Sequence, residues 1–179
     1  INIMNSMKIF FLDIDGVLNS MRTYYAYEKF CNAGSLKEKI AVSDENNIVD
    51  PQFDPICVKL LQNAQEQIGF KIVISSAWRY SFDVKDFHIL FDFYEWDTRN
   101  IIVDKTGKGI GNRGYQIQQW LNSHSASGDV KYAIIDDSGD ILDFQYDKYV
   151  KCEFDIGFSV DGYLKLFDIF GESDKVVRI

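Results

Sequence analysis

Three strand-length apolar runs, each ending abruptly in polar residues able to do chemistry, constrain this chain more than any other feature. They are Lys8 to Leu12, Phe70 to Ile74 and Lys131 to Ile135. Each is rich in Ile, Val or Phe and lacks polar alternation, which is how a strand covered on both faces of a parallel sheet reads. Between the runs lie helical patterns. Pro55 to Gly69 sets Ile56, Leu60, Leu61, Ala64 and Ile68 on one face, with Gly69 as the stop. Arg113 to Asn122 repeats the pattern with Ile117, Trp120 and Leu121.

Strand, helix, strand, helix, strand predicts an α/β fold, a Rossmann-like three-layer sandwich around a mainly parallel central sheet. A fourth strand is expected at Lys148 to Cys152, and further helices at Phe82 to Tyr94 and Gly162 to Phe170. The 179 residues suit one domain, taken as 7–179. Residues 1–6 read as a tag remnant or an upstream extension, with Met7 as a native start. Asn19 to Asp50 mixes aromatics, charges and Gly34. It reads either as a small insertion near the active site or as a loop, too short for a large cap domain.

The chemistry lies at the carboxyl end of each run. The first ends in Asp13-Ile14-Asp15-Gly16-Val17-Leu18-Asn19, the second in Ser75-Ser76-Ala77-Trp78-Arg79, and the third in Asp136-Asp137-Ser138-Gly139-Asp140. Ligands of open parallel sheets bind outside the carboxyl ends of the strands, so neighbouring strands would deliver these tips to one cleft. Crowded carboxylates repel, and a hard divalent cation relieves that repulsion. Magnesium takes only one or two carboxylates plus substrate phosphate, which leaves an aspartate free to act on phosphorus.

A strand ending in DxDGxxN, a strand ending in Ser, a later basic residue and a strand ending in DD resemble the four motifs of the haloacid dehalogenase (HAD) superfamily. The wider pattern is similar to the HAD domain of Swiss Army Knife RNA repair proteins: DIDGVLN, SSAWR, Arg113 ahead of Ile117 and Trp120-Leu121, then IIDD. That resemblance implies a Mg2+-dependent phosphatase with a small or absent cap. It implies Asp13 as nucleophile and metal ligand, forming an aspartyl-phosphate, and Asp15 as acid and base with its backbone carbonyl on the metal. It also implies that Ser75 binds a phosphoryl oxygen, with Ser76 the weaker occupant of that role. Asp137 is expected to bind the metal directly, and Asp136 as a ligand or a neighbouring acceptor. Gly16 is expected to permit the tight backbone turn that aims neighbouring N–H groups at phosphate. Arg113 is expected to neutralise the phosphoryl oxygens, with Lys108 as its rival. The implied partner is a phosphorylated substrate, an RNA or DNA end or a nucleotide. A phosphoprotein, a small metabolite and a catalytically silent HAD-like interaction module remain as alternatives.

Each motif has a plainer reading. A lone DxD is more often a turn, and only the ordered set of three strand ends lifts it above coincidence. Trp78 and Arg79 are candidate contacts to a base and a phosphate, but packing for Trp78 and an acidic partner for Arg79 are the commoner outcomes. The segment GKGIGNRG lacks GxxxxGK[ST] and does not read as an ATP loop. His88 and His124 have no partner spacing that points to zinc.

A formal charge of −8 argues against broad nucleic-acid binding through a basic face, though not against a local cationic groove. Cys31, Cys57 and Cys152 form no CxxC pair, which fits free thiols and a cytoplasmic setting. No apolar run is long enough to span a membrane.

Overall fold

The computed structural model describes residues 7–32, 48, 50–124 and 130–176. The elements run β1 (Lys8–Leu12), α1 (Met21–Asn32), α2 (Pro55–Ile68), β2 (Lys71–Ile74), α3 (Val84–Asp92), β3 (Ile102–Lys105), α4 (Arg113–His124), β4 (Lys131–Asp136), β5 (Tyr149–Lys151) and α5 (Val160–Phe170). The five strands form one parallel sheet in the order β3-β2-β1-β4-β5. This is the α/β, Rossmann-like architecture expected from the strand and helix pattern.

Side chains alternate across the pleat and so feed two cores. Phe10, Leu12, Ile72, Ile74 and Ile135 pack with α2, α3 and α5 through residues such as Leu61, Phe87 and Phe167. Ile9, Phe11, Val73 and Ile134 face α4 through Ile117, Trp120 and Leu121. The second layer is thinner, and edge-on stacking of Phe11 against Trp120 fills much of it.

The helix ends follow their sequence signals. Asp54 accepts a hydrogen bond from the Ile56 N–H at 2.9 Å and starts α2, with Pro55 at the first position. Gly69 ends α2 in the left-handed conformation at φ 78°.

Two elements depart from expectation. β3 was not anticipated, because Val103 is exposed and Asp104 and Lys105 are polar, so this edge strand carries no buried run. α1 lies inside the region read as an insertion or loop. Of its described side chains only Thr23 is buried. The expectations for residues 1–6, and for 33–47 and 49 of the insertion, fall outside the described residues. Among the described residues, no helix is long and apolar enough to cross a membrane.

Candidate active site

The register of the sheet builds a row of polar groups. Leu12 pairs with Ile74 on one side and with Ile135 on the other, and Ile74 pairs with Lys105. One residue further on, the row reads Thr106, Ser75, Asp13, Asp136. Main-chain bonds hold these tips together: Asp13 N donates to Ile135 O at 3.1 Å, Ser75 N to Leu12 O at 2.9 Å, and Thr106 N to Ile74 O at 2.9 Å. Strand pairing therefore continues to the edge of the cleft, and the functional side chains stand on rigid backbone.

Asp13, Asp136 and Asp137 each present a carboxylate oxygen within 4.8 Å of the other two. Asp13 and Asp136 are buried and Asp137 is half-buried. Burial pushes the Asp13 carboxyl above its ordinary value; Arg113 pulls it down and Asp136 pushes it up. Burial and then Asp136 raise that of Asp137. The carboxylates are crowded, and charge compensation is built in.

That compensation comes from Arg113. Its Nη1 lies 2.8 Å from Asp13 Oδ1 and 2.8 Å from Asp136 Oδ2. Burial opposes the guanidinium charge, but attraction from Asp13 and then Asp136 outweighs it and raises its pKa. Arg113 opens α4, whose start is held to the loop after β4 by Gly114 N donating to Asp140 O at 2.9 Å. Lys108 is elsewhere: exposed, with Nζ 5.6 Å from the centre of the Tyr80 ring. Of the two rival cations, Arg113 is the one the fold brings to the aspartates.

Several buried polar atoms at this spot lack a hydrogen bond among the described residues: Ser75 Oγ, Thr106 Oγ1, Arg113 Nη1 and Asp136 Oδ2. The close approaches of Arg113 are ion-pair distances without hydrogen-bond alignment. Arg113 Nη1 and Asp136 Oδ2 have each other as an ion pair, but a buried hydroxyl left unpaired costs about 1–3 kcal/mol, so Ser75 Oγ and Thr106 Oγ1 mark a place where a ligand could bind. The donor set fits a hard cation beside an oxyanion, with carboxylate oxygens on one flank and a hydroxyl and a guanidinium on the other.

Asp136 and Asp137 differ in availability. Asp136 Oδ1 accepts from Ser138 N at 2.8 Å and Ser138 Oγ at 2.7 Å. The Asp137 side chain has no hydrogen bond to another side chain among the described residues, which leaves it the freer carboxylate.

Asp15 is exposed and held from both sides. Asn19 Nδ2 donates to its Oδ1 at 2.9 Å, and Trp78 Nε1 to its Oδ2 at 2.9 Å. Trp78 itself packs against Phe53 and Phe82, so the packing expectation holds, joined by a polar contact that sequence did not disclose. Asn19 was visible only as the last letter of DxDGxxN, and its spacing of four from Asp15 was the available signal.

Two expected substrate contacts are otherwise employed. Arg79 is buried and donates to Ser75 O at 2.6 Å and Ser76 O at 2.7 Å, with further bonds to Tyr80 and Gln116. It clamps the loop after β2, its partners are carbonyls rather than the acid expected, and burial lowers its pKa. Ser76 accepts from Trp78 N at 3.3 Å and caps the turn at Ala77–Tyr80. At Gly16 the backbone makes the tight turn expected, at φ 72°, and its own N–H donates to Asn19 Oδ1 at 3.1 Å within that turn. What demands glycine there is space: a Cβ at Gly16 would sit 2.4 Å from Asp137 Oδ2, at φ 72°.

The family described as the HAD domain in Swiss Army Knife RNA repair proteins matches residues 9–162. The chain belongs to this family. No curated protein and no solved structure matches it. The match runs from β1 into the first turn of α5 and includes every strand end described above. Membership identifies a HAD-type hydrolase or phosphatase domain from an RNA-repair setting.

Proposed function

We propose that this chain is a magnesium-dependent phosphomonoesterase acting on the terminal phosphate of a nucleic-acid end or on a nucleotide, through an aspartyl-phosphate on Asp13. The observation that carries the reading is the meeting of Asp13, Asp136 and Asp137 within 4.8 Å, next to Arg113 and the unpaired Ser75 hydroxyl. A structural cluster of buried acids accounts for the Arg113 ion pairs but has no use for the unpartnered Ser75 hydroxyl beside them.

Asp13, Asp137 and the Asp15 carbonyl would hold Mg2+, with Asp136 beside them. When bound, the ion supplies charge neutralisation for the phosphoryl oxygens. In the first step an Asp13 carboxylate oxygen forms a bond to phosphorus as the bond to the leaving oxygen breaks, and Asp15 gives that oxygen its proton. Ser75 Oγ and Arg113 donate to the non-reacting phosphoryl oxygens, where preorganised donors act on growing charge. In the second step water attacks phosphorus, Asp15 takes its proton, and Asp13 is released with inorganic phosphate. Asn19 and Trp78 keep the Asp15 carboxylate aimed at the shared path of both proton transfers.

We further take residues 7–179 as one working domain, in a reducing compartment such as the cytoplasm that suits the free, buried Cys57 and Cys152. The test is turnover of an aryl phosphate with and without Mg2+, followed by a panel of end-phosphorylated RNA and DNA, mononucleotides, sugar phosphates and phosphopeptides. Asp13→Asn should abolish turnover while the circular dichroism spectrum is unchanged. Activity surviving in that variant would reject Asp13 as nucleophile, and a wild-type chain inert on every phosphate ester would leave the interaction-module reading in its place.

A further inference from the structure

Beside Asp15 lies a cavity of about 300 Å3 that the aspartate cluster does not use. Met21 and Tyr24 from the first turn of α1 line it, with Pro51, Gln52 and Phe154, and Asp15 is part of its wall. The turn after β5 creates it by docking on the start of α1: Met21 N donates to Phe154 O at 3.1 Å, and Arg22 N to Asp155 O at 3.4 Å. Of the residues proposed to act on phosphate, Asp15 is the one that also lines this cavity, with Asn19, which holds its carboxylate, beside it.

We infer that this cavity receives the base of the terminal nucleoside, the group that leaves when phosphate is cleaved. The inference rests on the phosphatase reading and adds the part of the substrate that reading leaves open. The leaving oxygen must lie within reach of Asp15, so whatever is attached to that oxygen continues into the space next to it.

Three observations decide the chemistry of the occupant. Tyr24 and Phe154 are 63% and 48% exposed, an unusual outlay of aromatic surface at one opening, and aromatic faces accept any base by stacking. Among the described residues no lysine or arginine lines the cavity, and the one charged residue that does is Asp15. Arg22, next along α1, is engaged by Asp54 Oδ2 at 2.5 Å. An occupant carrying a second phosphate or a carboxylate would therefore be repelled, whereas an uncharged planar ring would not. Finally, Gln52 holds a left-handed backbone at φ 57°, unfavourable for a residue with a side chain. Its side-chain amide has no hydrogen-bond partner among the described residues. An amide both donates and accepts, which matches the polar edge of a base and has no counterpart on the hydrocarbon edge of a phosphotyrosine ring. The volume is at the lower end for a small-molecule site and suits one base, not a stack of several.

The experiment compares kcat/KM for nucleoside monophosphates with kcat/KM for ribose 5-phosphate, which carries the phosphate and sugar without a base. In Tyr24→Ala and Phe154→Ala the preference for the nucleotide should fall roughly 5- to 100-fold, the range for losing one base–aromatic stack. Tyr24→Phe should keep it, as should Phe144→Ala, an exposed aromatic outside the cavity. Both alanine sites are largely solvated, so the fold should persist. An unchanged preference in both alanine variants would overturn the inference and leave the phosphatase reading standing. Loss confined to a phosphotyrosine peptide would overturn it in favour of a protein substrate. No Asp13-dependent turnover of any substrate would remove the phosphatase reading and the subsite with it.

Discussion

Replacing Gly16 with alanine should damage the protein more than replacing Gly69, and the difference isolates one contact. Both glycines have left-handed backbones, at φ 72° and 78°. Each alanine therefore carries the same backbone penalty, about 1–2 kcal/mol. At Gly69 nothing lies within 4 Å of the added Cβ, so that penalty is the whole effect. At Gly16 the new carbon meets Asp137 Oδ2 at 2.4 Å, Cγ at 2.5 Å and Cβ at 2.8 Å. Rotating the Asp137 side chain moves its carboxylate but not its Cβ, so the backbone at the end of β4 must yield. Overpacking of this kind costs a further ~1–3 kcal/mol. For a chain of this length that is roughly 2–12 °C in Tm beyond the loss at Gly69. Scanning calorimetry of the two variants reads it directly. Because the displaced residue belongs to the aspartate cluster, Gly16→Ala should also lose on the order of 100-fold in turnover, as a shift of about 1 Å at a catalytic group does. Gly69→Ala, at the opposite end of the sheet, should keep its activity. Equal melting points, or a fully active Gly16→Ala, would refute the claim that Gly16 exists to admit Asp137.

Two other perturbations probe the charges. Arg113→Met leaves Asp13 and Asp136 buried without their cation, a change worth about 3–5 kcal/mol. Burial already holds the Asp13 pKa above its ordinary 3.8 against the pull of Arg113, and losing Arg113 raises it further; that deficit is full at neutral pH and shrinks as acid protonates Asp13, so urea midpoints of variant and wild type should converge as the pH falls from about 7 to about 4. Glu172 ties the turn after α5 to β1 through Lys8, and pairs within that turn with Lys175, 2.8 Å away. Hydrogen bonds from Lys175 and then Lys8 hold its pKa at about 2 against an ordinary 4.5. Its contribution is therefore present above pH 4.5 and lost as the pH falls towards 2. Glu172→Gln should cost on the order of 1–2 kcal/mol at pH 7, allowing for solvent screening, and little at pH 2.5; an equal loss at both would exclude the ion pairs as its source.

What could be read from the sequence was whatever depends on local pattern. The three buried strands announced themselves because both their faces are covered, and α2 because Pro55 and Gly69 bracket an apolar stripe. β3 and α1 did not, since an edge strand and an outlying helix need little apolar surface. The site divides in the same way. Asp13, Ser75 and Asp136 were legible as strand tips. Their partners were not: that Arg79 would turn inward onto carbonyls, that Ser76 would cap a turn, and that Trp78 would reach Asp15 are facts of folding back, with no signature in spacing. For Gly16 the tight turn was legible, but the close approach of Asp137, 121 positions later, was not.

The strand order itself explains why the cluster forms where it does. From β1 the chain lays down β2 and then β3 in one direction, and returns through α4 to place β4 on the other side of β1. The reversal opens a crevice between the carboxyl ends of β1 and β4, the place where open α/β sheets bind ligands. Asp13 comes directly after β1, Asp136 closes β4 with Asp137 next to it, and Arg113 begins the helix that makes the return. All four therefore share one topological position. Acids gathered at a crevice from which both neighbouring helices diverge cannot be neutralised by the sheet, and the one cation that the connection supplies is set against Asp13 and Asp136. Asp137 has no such ion pair among the described residues, so the crevice gathers three acids around one close cation.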